Sequence, residues 1–381
     1  MRLLVLTELF LPTKGGTAVW AAEVYRRLGG KELHIVTADV PGAAEIDSVH
    51  PNTVHRLRLE RVPWLRPESL LMYWRLFVRS LWLALTRRFE AVHAFRALPE
   101  GLVAWLVARI TFRPLVIYAH GEELTTWGKG GKYRAMAFAL RHADRVIANS
   151  EYTSRQLRST GVAGERISII HPGVDTDRFR PGLPCDDLRM RVGIGSGGKL
   201  LVSVGRLSRR KGFDQLIAAL PQLVARGIDA HYAVIGTGED VAYLQELAVS
   251  TGVRSRVHLL GHVAMDELPR WYNAADVFAM PNRDIEGDTE GFGMVFIEAA
   301  ACGRPALAGI AGGTAAAVED GVTGLRVDGA SVDAIVEALD RILGDERFAS
   351  LLGSNGLERV RREYSWEMVA RRTQDAIAGL K

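Results

Sequence analysis

The sequence predicts an α/β protein made of two doubly wound, parallel-sheet domains. Three observations predict it. Short apolar runs alternate with amphipathic stretches along nearly the whole chain. A Pro/Gly-rich segment, His171-Pro172-Gly173-Val174-Asp175 followed by Arg180-Pro181-Gly182-Leu183-Pro184, breaks the alternation near the middle. The 381 residues, at roughly 100–200 per domain, suit one domain on each side of that break.

In the first half, Leu3–Leu6, Leu33–Val36, Ala91–Ala94, Leu115–Ala119 and Arg145–Ala148 are too short for helices and are flanked by polar or turn residues, so they read as strands. Amphipathic stretches such as Ala18–Leu28 and Leu98–Ile110 supply helices between them. After the break, strands are expected at Leu200–Val204, Tyr232–Ile235, Val257–Leu260, Val277–Met280, Pro305–Ala308 and Leu325–Val327. Helices are expected at Phe213–Ala225, Val241–Val249, Phe292–Ala301 and Val332–Leu343. A last helix, Trp366–Leu380, follows Ser365, a suitable N-cap. Strict alternation of this kind implies parallel sheets covered by helices on both faces. The expected boundaries are residues 1–172, 173–364 and a terminal helical segment, 365–381.

Hydrophobic residues make up 48% and charged residues 24%, the mixture of a folded soluble protein. The longest stretch without a charge, Pro305 to Val318, has 14 residues, fewer than the about 20 that a membrane-spanning helix needs. The opening Met1-Arg2-Leu3-Leu4-Val5-Leu6 is interrupted by Glu8 and lacks a small-residue cleavage site, so it reads as a buried first strand rather than a signal peptide. Two cysteines, Cys185 and Cys302, make no disulfide framework, and no Cys/His cluster has metal-ligand spacing. A cytoplasmic location and no bound metal are the expectations. The net charge of +4 is too weak to argue for nucleic acid, and no nucleic-acid partner is expected. The charge is uneven, however. Between Val54 and Arg88 stand Arg56, Arg58, Arg61, Arg66, Arg75, Arg79, Arg87 and Arg88 against only Glu60 and Glu68, interleaved with Trp64, Trp74, Phe77 and Trp82. Its helical part, Leu70 to Trp82, reads either as a basic amphipathic helix lying on an anionic membrane surface or as a core helix whose arginines reach solvent at its edges.

Ligands of open parallel sheets bind beyond the carboxyl ends of the strands, so the expected site is a cleft where those ends of the two domains face each other. The loops there carry the informative residues. Gly15-Gly16-Thr17 precedes a helix, and an amide at Gly16 can approach an anion closely at a helix N-terminus. Gly205-Arg206-Leu207-Ser208-Arg209-Arg210-Lys211-Gly212 follows a strand, and there Arg206 as a planar fork and Lys211 as a point charge suit a pyrophosphate. In Glu290-Gly291-Phe292-Gly293-Met294-Val295-Phe296-Ile297-Glu298, two acids bracket an apolar helix start. At 1.5 Å rise, eight positions span roughly 12 Å, the reach of a nucleotide sugar, with the Met294 and Val295 amides in the first turn for phosphate. His120 ends a strand, where it faces the expected cleft. Gly236-Thr237-Gly238 and Gly261-His262-Val263 end two more strands and are candidate walls for a base; neither has the spacing of a dinucleotide fingerprint.

Together these segments resemble the retaining glycosyltransferases of family 4, which have the GT-B fold: two doubly wound, Rossmann-like domains facing across a cleft. The resemblance runs through Gly15-Gly16, His120-Gly121, Ala148-Asn149-Ser150, Pro172-Gly173-Val174-Asp175, Gly205-Arg206 with Lys211-Gly212, Glu290 with Glu298, Glu298-Ala299-Ala300-Ala301-Cys302-Gly303-Arg304-Pro305 and Asp320-Gly321-Val322-Thr323-Gly324-Leu325. Bacterial phosphatidylinositol mannosyltransferases look most similar, partly through Phe278-Ala279-Met280-Pro281. The resemblance implies an N-terminal acceptor-binding domain, a C-terminal nucleotide-sugar-binding domain and a last helix returning to the first. It implies catalytic roles at the transferred sugar for His120 and Glu290, and phosphate contacts at Gly16, Arg206 and Lys211. It further implies a base contact at Val263 and ribose contacts at Glu298. Where the family commonly has Gly-Gly-x-Pro-Glu, this chain has Gly312-Gly313-Thr314-Ala315-Ala316, without the acid.

The implied reaction is transfer of a hexose from a nucleotide-diphosphate sugar to a hydroxyl with retention, needing neither metal nor other cofactor. GDP-mannose is the first expectation for the donor and a UDP-hexose the second. A lipid-linked acceptor at an anionic membrane surface is the expected partner, with the protein peripheral on the inner face of the membrane. The alternatives are a nucleotide-sugar isomerase or hydrolase on the same scaffold, a nicotinamide-dependent oxidoreductase, and a non-catalytic sugar-nucleotide sensor.

Overall fold

The computed structural model describes residues 1–65, 68–128, 130–195 and 197–380; Arg66 of the basic segment lies outside them. The chain forms two compact units. Met1–Pro172 with Trp366–Lys381 makes the first, and Gly173–Ser365 the second.

The first unit is built on β1 (Leu3–Leu6), β2 (His34–Ala38), β3 (Thr53–Leu57), β4 (Ala91–Ala94), β5 (Leu115–Ala119), β6 (Arg145–Ala148) and β7 (Ile167–Ile169). They pair in parallel in the order β3-β2-β1-β4-β5-β6-β7. Every residue of β1, β4 and β5 is buried, which is why these strands read as uninterrupted apolar runs. The edge strands β3 and β7 are half-buried or exposed throughout, and the apolar runs above miss both. In β3 the polar residues Thr53, His55 and Arg56 hide the strand. The Arg56 guanidinium turns aside to Asp47 (2.7 Å) and to the Leu11 carbonyl (2.6 Å). Among its described residues the basic segment contributes to β3 and forms the helix Leu70–Thr86, four residues longer than the expected Leu70–Trp82.

That helix buries Met72, Leu76, Ser80 and Leu83 at 4-4-3 spacing against the sheet. The helix expected from Leu98 begins instead at Leu102, after an irregular turn over Ala97–Gly101 in which Leu98 is extended and Pro99 has no N–H to donate. The last helix, Trp366–Ala378, packs on Gly16–Tyr25 within this unit, burying Trp366 and Val369, with Arg27 Nε 2.8 Å from Glu367.

The second unit carries β8 (Lys199–Val204), β9 (Ala230–Ile235), β10 (Val257–Gly261), β11 (Val277–Met280), β12 (Ala306–Gly309) and β13 (Gly324–Val327). These strands are also parallel, in the order β10-β9-β8-β11-β12-β13. Helices Phe213–Ala225 and Val332–Gly344 pack together over one face, and the Glu346–Glu363 helix packs on Met294–Ala301. In each sheet the strand order reverses direction once, between β1 and β4 and between β8 and β11. Those crevices are where open α/β sheets accept ligands. Among the described residues, no helix is long and apolar enough to cross a membrane.

Candidate active site

In the second unit, the loops after β8 and β11 meet at the reversal point. The Arg283 amide donates to the Arg210 carbonyl at 2.8 Å, and the Arg283 guanidinium holds the buried Asp214 at 2.7 Å. Gly212 makes the approach possible. Its φ is +76°, and a Cβ there would lie 2.2 Å from the Pro281 carbonyl oxygen, so only glycine fits. This close approach brings Lys211 and Arg210 onto Glu290, both donating to its Oε2, Arg210 at 3.1 Å. Arg210 also pairs with Asp288 at 3.1 Å. Burial pushes the Glu290 carboxyl up, but the two cations outweigh it and hold the group down at about 2. Glu290 is thus an ionised, fixed hydrogen-bond acceptor at neutral pH.

The backbone of Glu290 is fixed as firmly. Its carbonyl accepts from the Gly313 amide at 2.7 Å, and a Cβ on Gly312, whose φ is +71°, would sit 2.2 Å from that same oxygen. The glycine pair therefore supports Glu290. Further along, at the position where the family commonly has an acid, Ala316 is buried in the core, and its carbonyl accepts from the Tyr364 hydroxyl and from Arg359 (3.0 Å).

The helix expected from Phe292 spans only Met294–Ala301, capped by Gly293 at φ +88°. Glu290 lies before it, in the loop, so the axial distance of a continuous helix does not apply between the two acids. Met294 and Val295 do occupy the first turn, where intrahelical partners for N–H groups are lacking. Glu298 projects from the helix interior and accepts from the Tyr272 hydroxyl at 2.6 Å. Burial raises its carboxyl, against the pull of Tyr272 and Arg178. Arg206 is largely exposed at the end of β8 and pairs with Glu239 at 3.1 Å. Val263 is buried in a core cluster with Trp271 and Ala274.

In the first unit, the N-terminus of the helix Gly16–Tyr25 and the end of β5 border one cavity of about 570 Å³. Thr17, His120, Glu8, Tyr73, Arg96 and Trp127 are among its lining residues. Gly15, with φ +127°, caps that helix, and Gly16 is exposed at its first position. His120 stands edge-on to Trp20 (5.4 Å) over the aromatic stack of Phe95 and Tyr118. Its Nε2 lies 2.7 Å from the Phe95 carbonyl, which can only accept, so Nε2 carries the proton. Burial lowers the imidazole's proton affinity, which leaves Nδ1 as a neutral lone pair for a hydroxyl.

The expected residues therefore fall into two groups. Gly16 and His120 belong to the first unit; Arg206, Lys211, Val263, Glu290, Met294, Val295 and Glu298 belong to the second. Sequence reasoning assigned no role to Arg210, although it adjoins Lys211, nor to Tyr272, which lies 26 positions from its partner. It also missed the cluster of Glu8, Arg96 and Glu100, which strand pairing assembles from separate loops.

Comparison with known proteins bears on this arrangement. Residues 14–178 match the family model for Glycosyltransferase Family 4, and residues 186–359 match that for Glycosyl transferases group 1. The chain is 33% identical over 385 aligned residues, covering 99% of it and 98% of the relative, to a GDP-mannose-dependent alpha-(1-6)-phosphatidylinositol monomannoside mannosyltransferase of Mycobacterium tuberculosis. It is 34% identical, with the same coverage, to the Mycolicibacterium smegmatis protein of that name. Among solved structures, Anabaena HepE in complex with UDP and glucose superposes with a TM-score of 0.84 at 21% identity, over 100% of both chains. Sucrose-phosphate synthase from Thermosynechococcus elongatus does so at 0.82 and 23%, over 99% and 98%. These likenesses establish the GT-B fold, and the relatives reported are transferases rather than isomerases or hydrolases. By full-length similarity to its relatives, the chain belongs to glycosyltransferase family 4 and is a hexosyltransferase.

Proposed function

We propose that this protein transfers mannose from GDP-mannose to a hydroxyl of a phosphatidylinositol mannoside-like lipid, with retention of configuration and without a metal. The observation that carries the reading is identity of 33–34% along essentially the whole chain to relatives named for that donor and that class of acceptor.

The second unit takes the nucleotide sugar. Glu290, ionised and held by Lys211 and Arg210, accepts hydroxyl hydrogens of the transferred sugar. The Met294 and Val295 amides, Arg206 and Lys211 meet the diphosphate, Glu298 meets the ribose, and Val263 borders the base. As the glycosidic bond lengthens, negative charge grows on the departing phosphate, and cations already fixed beside it stabilise that charge without reorganisation. They supply the neutralisation for which other transferases use a metal. The departing phosphate itself takes the proton of the attacking hydroxyl on the same face of the sugar, which accounts for retention. In the first unit, the Gly16 amide contacts phosphate, and His120 offers Nδ1 to a sugar hydroxyl near the reacting carbon.

The acceptor belongs to the first unit. The helix Leu70–Thr86 lines its cavity with Met72 and Tyr73 and, on another face, exposes Leu70, Trp74, Val78, Trp82 and Leu85 at 4-4-4-3 spacing. Trp64, with 82% of its surface exposed, precedes the helix, and Arg58, Arg61, Arg87 and Arg88 are exposed at its flanks. An apolar stripe rimmed by arginine suits the headgroup region of an anionic bilayer. One helix thus offers both a lipid-facing stripe and a wall of the cavity for the headgroup, and a peripheral location at the membrane follows.

The test is incubation with GDP-mannose or a UDP-hexose and phosphatidylinositol monomannoside, with and without EDTA. An α-linked mannosyl product from GDP-mannose, unaffected by EDTA, is expected. Transfer only from a UDP-sugar, an inverted linkage, or loss of activity in EDTA each refutes the corresponding part of the reading.

A further inference from the structure

We infer that Glu8 and Arg96 together form a clamp for a vicinal diol on a polyol ring, the part of the acceptor next to the attacking hydroxyl. The inference rests on the reading of the first unit as the acceptor side.

Glu8 and Arg96 follow β1 and β4, the two strands that flank the reversal of strand order, by two residues each. They meet there, Arg96 Nη2 donating to Glu8 Oε2 at 2.6 Å. Behind them is Glu100, with no exposed surface. Its Oε1 accepts the Glu8 amide at 2.6 Å and faces both Nε and Nη2 of Arg96 at 3.4 Å. Its Oε2 is buried without a partner among the described residues. A fully buried carboxylate is costly to keep unless its partner holds it in place, so Glu100 binds both loops to one geometry. Burial raises its carboxyl while Arg96 opposes the rise.

This anchoring leaves two unclaimed positions on groups that line the cavity. Glu8 Oε1 and Arg96 Nη1 have no hydrogen-bond partner among the described residues. An ionised carboxylate only accepts and a guanidinium only donates, whereas each hydroxyl does both. Two adjacent hydroxyls on a ring satisfy the pair at once, one giving its hydrogen to Glu8 and the other receiving from Arg96. The cavity lining mixes the cations Arg61, Arg96 and Lys132 with the acids Glu8, Glu68, Glu122 and Glu123, and at the clamp itself a cationic ligand would be opposed by Arg96. A bare anion would be opposed by Glu8. A neutral, polyhydroxylated ring avoids both penalties, and a cavity of about 570 Å³ admits one.

The clamp is tested by ligand-observed NMR on the full chain without nucleotide, using cis-1,2-cyclohexanediol, myo-inositol and methyl α-mannopyranoside as probes. Wild-type protein should bind them, Glu8→Gln should bind at least tenfold more weakly, and Lys211→Ala in the second unit should bind as the wild type does. Equal binding by Glu8→Gln, or methyl phosphate displacing the polyols, overturns the inference. Should Glu8→Gln not fold, the wild type decides through cyclohexanol. A preference for the diol of less than tenfold overturns it. In steady-state assays Glu8→Gln should raise the KM for acceptor tenfold or more while leaving that for the sugar nucleotide in place. A chain that binds diols through Glu8 but transfers no sugar refutes the transferase reading and leaves the clamp standing. One that transfers sugar yet ignores Glu8→Gln refutes the clamp alone.

Discussion

Lys211 and Glu290, 79 positions apart in sequence, are joined as a largely buried ion pair through a single carboxylate oxygen that Arg210 shares. The pair sets the charge and position of the Glu290 carboxylate, the acid proposed to meet the transferred sugar, and several consequences can be measured.

If Lys211 faces the departing phosphate as proposed, replacing it by alanine should lower turnover by about a hundredfold or more, the cost of removing a fixed charge at a developing anion. Because Arg210 remains on Glu290, the loss of stability should be smaller than the ~3–5 kcal/mol typical of a buried pair broken outright. Near-normal turnover with the expected donor would remove Lys211 from the chemistry.

The Glu290 carboxyl at about 2, against an ordinary value of 4.5, makes a stability prediction with a definite sign. A depressed folded-state value contributes stability that is complete above pH 4.5 and is lost as pH falls towards 2. At about 1.4 kcal/mol per pH unit, the contribution is of the order of 3 kcal/mol. Urea unfolding at stepped pH should show this component in the wild type and not in Glu290→Gln. Parallel curves for the two proteins would contradict it.

Gly312→Ala introduces a single methyl group, yet it should be among the most damaging small substitutions. The added carbon meets the Glu290 carbonyl at 2.2 Å in a backbone of positive φ. A loss of ~2 kcal/mol or more is expected, together with a fall in kcat, since the displaced group is Glu290 itself. A thermal melt and an assay of the same preparation suffice to check both.

Tyr272→Phe removes the hydroxyl that bonds Glu298 and leaves the ring in place. A hydrogen bond to a charged group is worth ~1.5–3 kcal/mol. If Glu298 receives the ribose, nucleotide affinity measured by calorimetry should fall several-fold while kcat at saturating donor changes little. Unaltered affinity would separate Glu298 from the nucleotide.

Trp74→Ser with Trp82→Ser should leave the melting temperature within a few degrees of wild type, because both rings are more than half exposed. Co-sedimentation with vesicles containing anionic phospholipid should drop at least fivefold. Binding indifferent to both the substitutions and the lipid charge would discard the membrane role of the stripe.

The sequence by itself determined the central strands, because β1, β4, β5 and β11 are buried from end to end and leave continuous apolar runs. It also determined the family, since the acids, glycines and cations lie in contiguous loop motifs. The two edge strands of the first sheet were hidden, although both edge strands of the second, β10 and β13, were legible. Half-buried β3 has only Val54 and Leu57 as apolar residues among Thr53, His55 and Arg56, and the Glu346–Glu363 helix has too mixed a face to stand out. Only the tertiary structure decided which charges meet. Parallel crossovers bring strands distant in sequence side by side, so Lys211 meets Glu290, Tyr272 meets Glu298, and Glu8 meets Arg96 and Glu100. Periodicity reports whether a residue faces the core or solvent; it carries no information about which loop lies opposite when the strand order reverses.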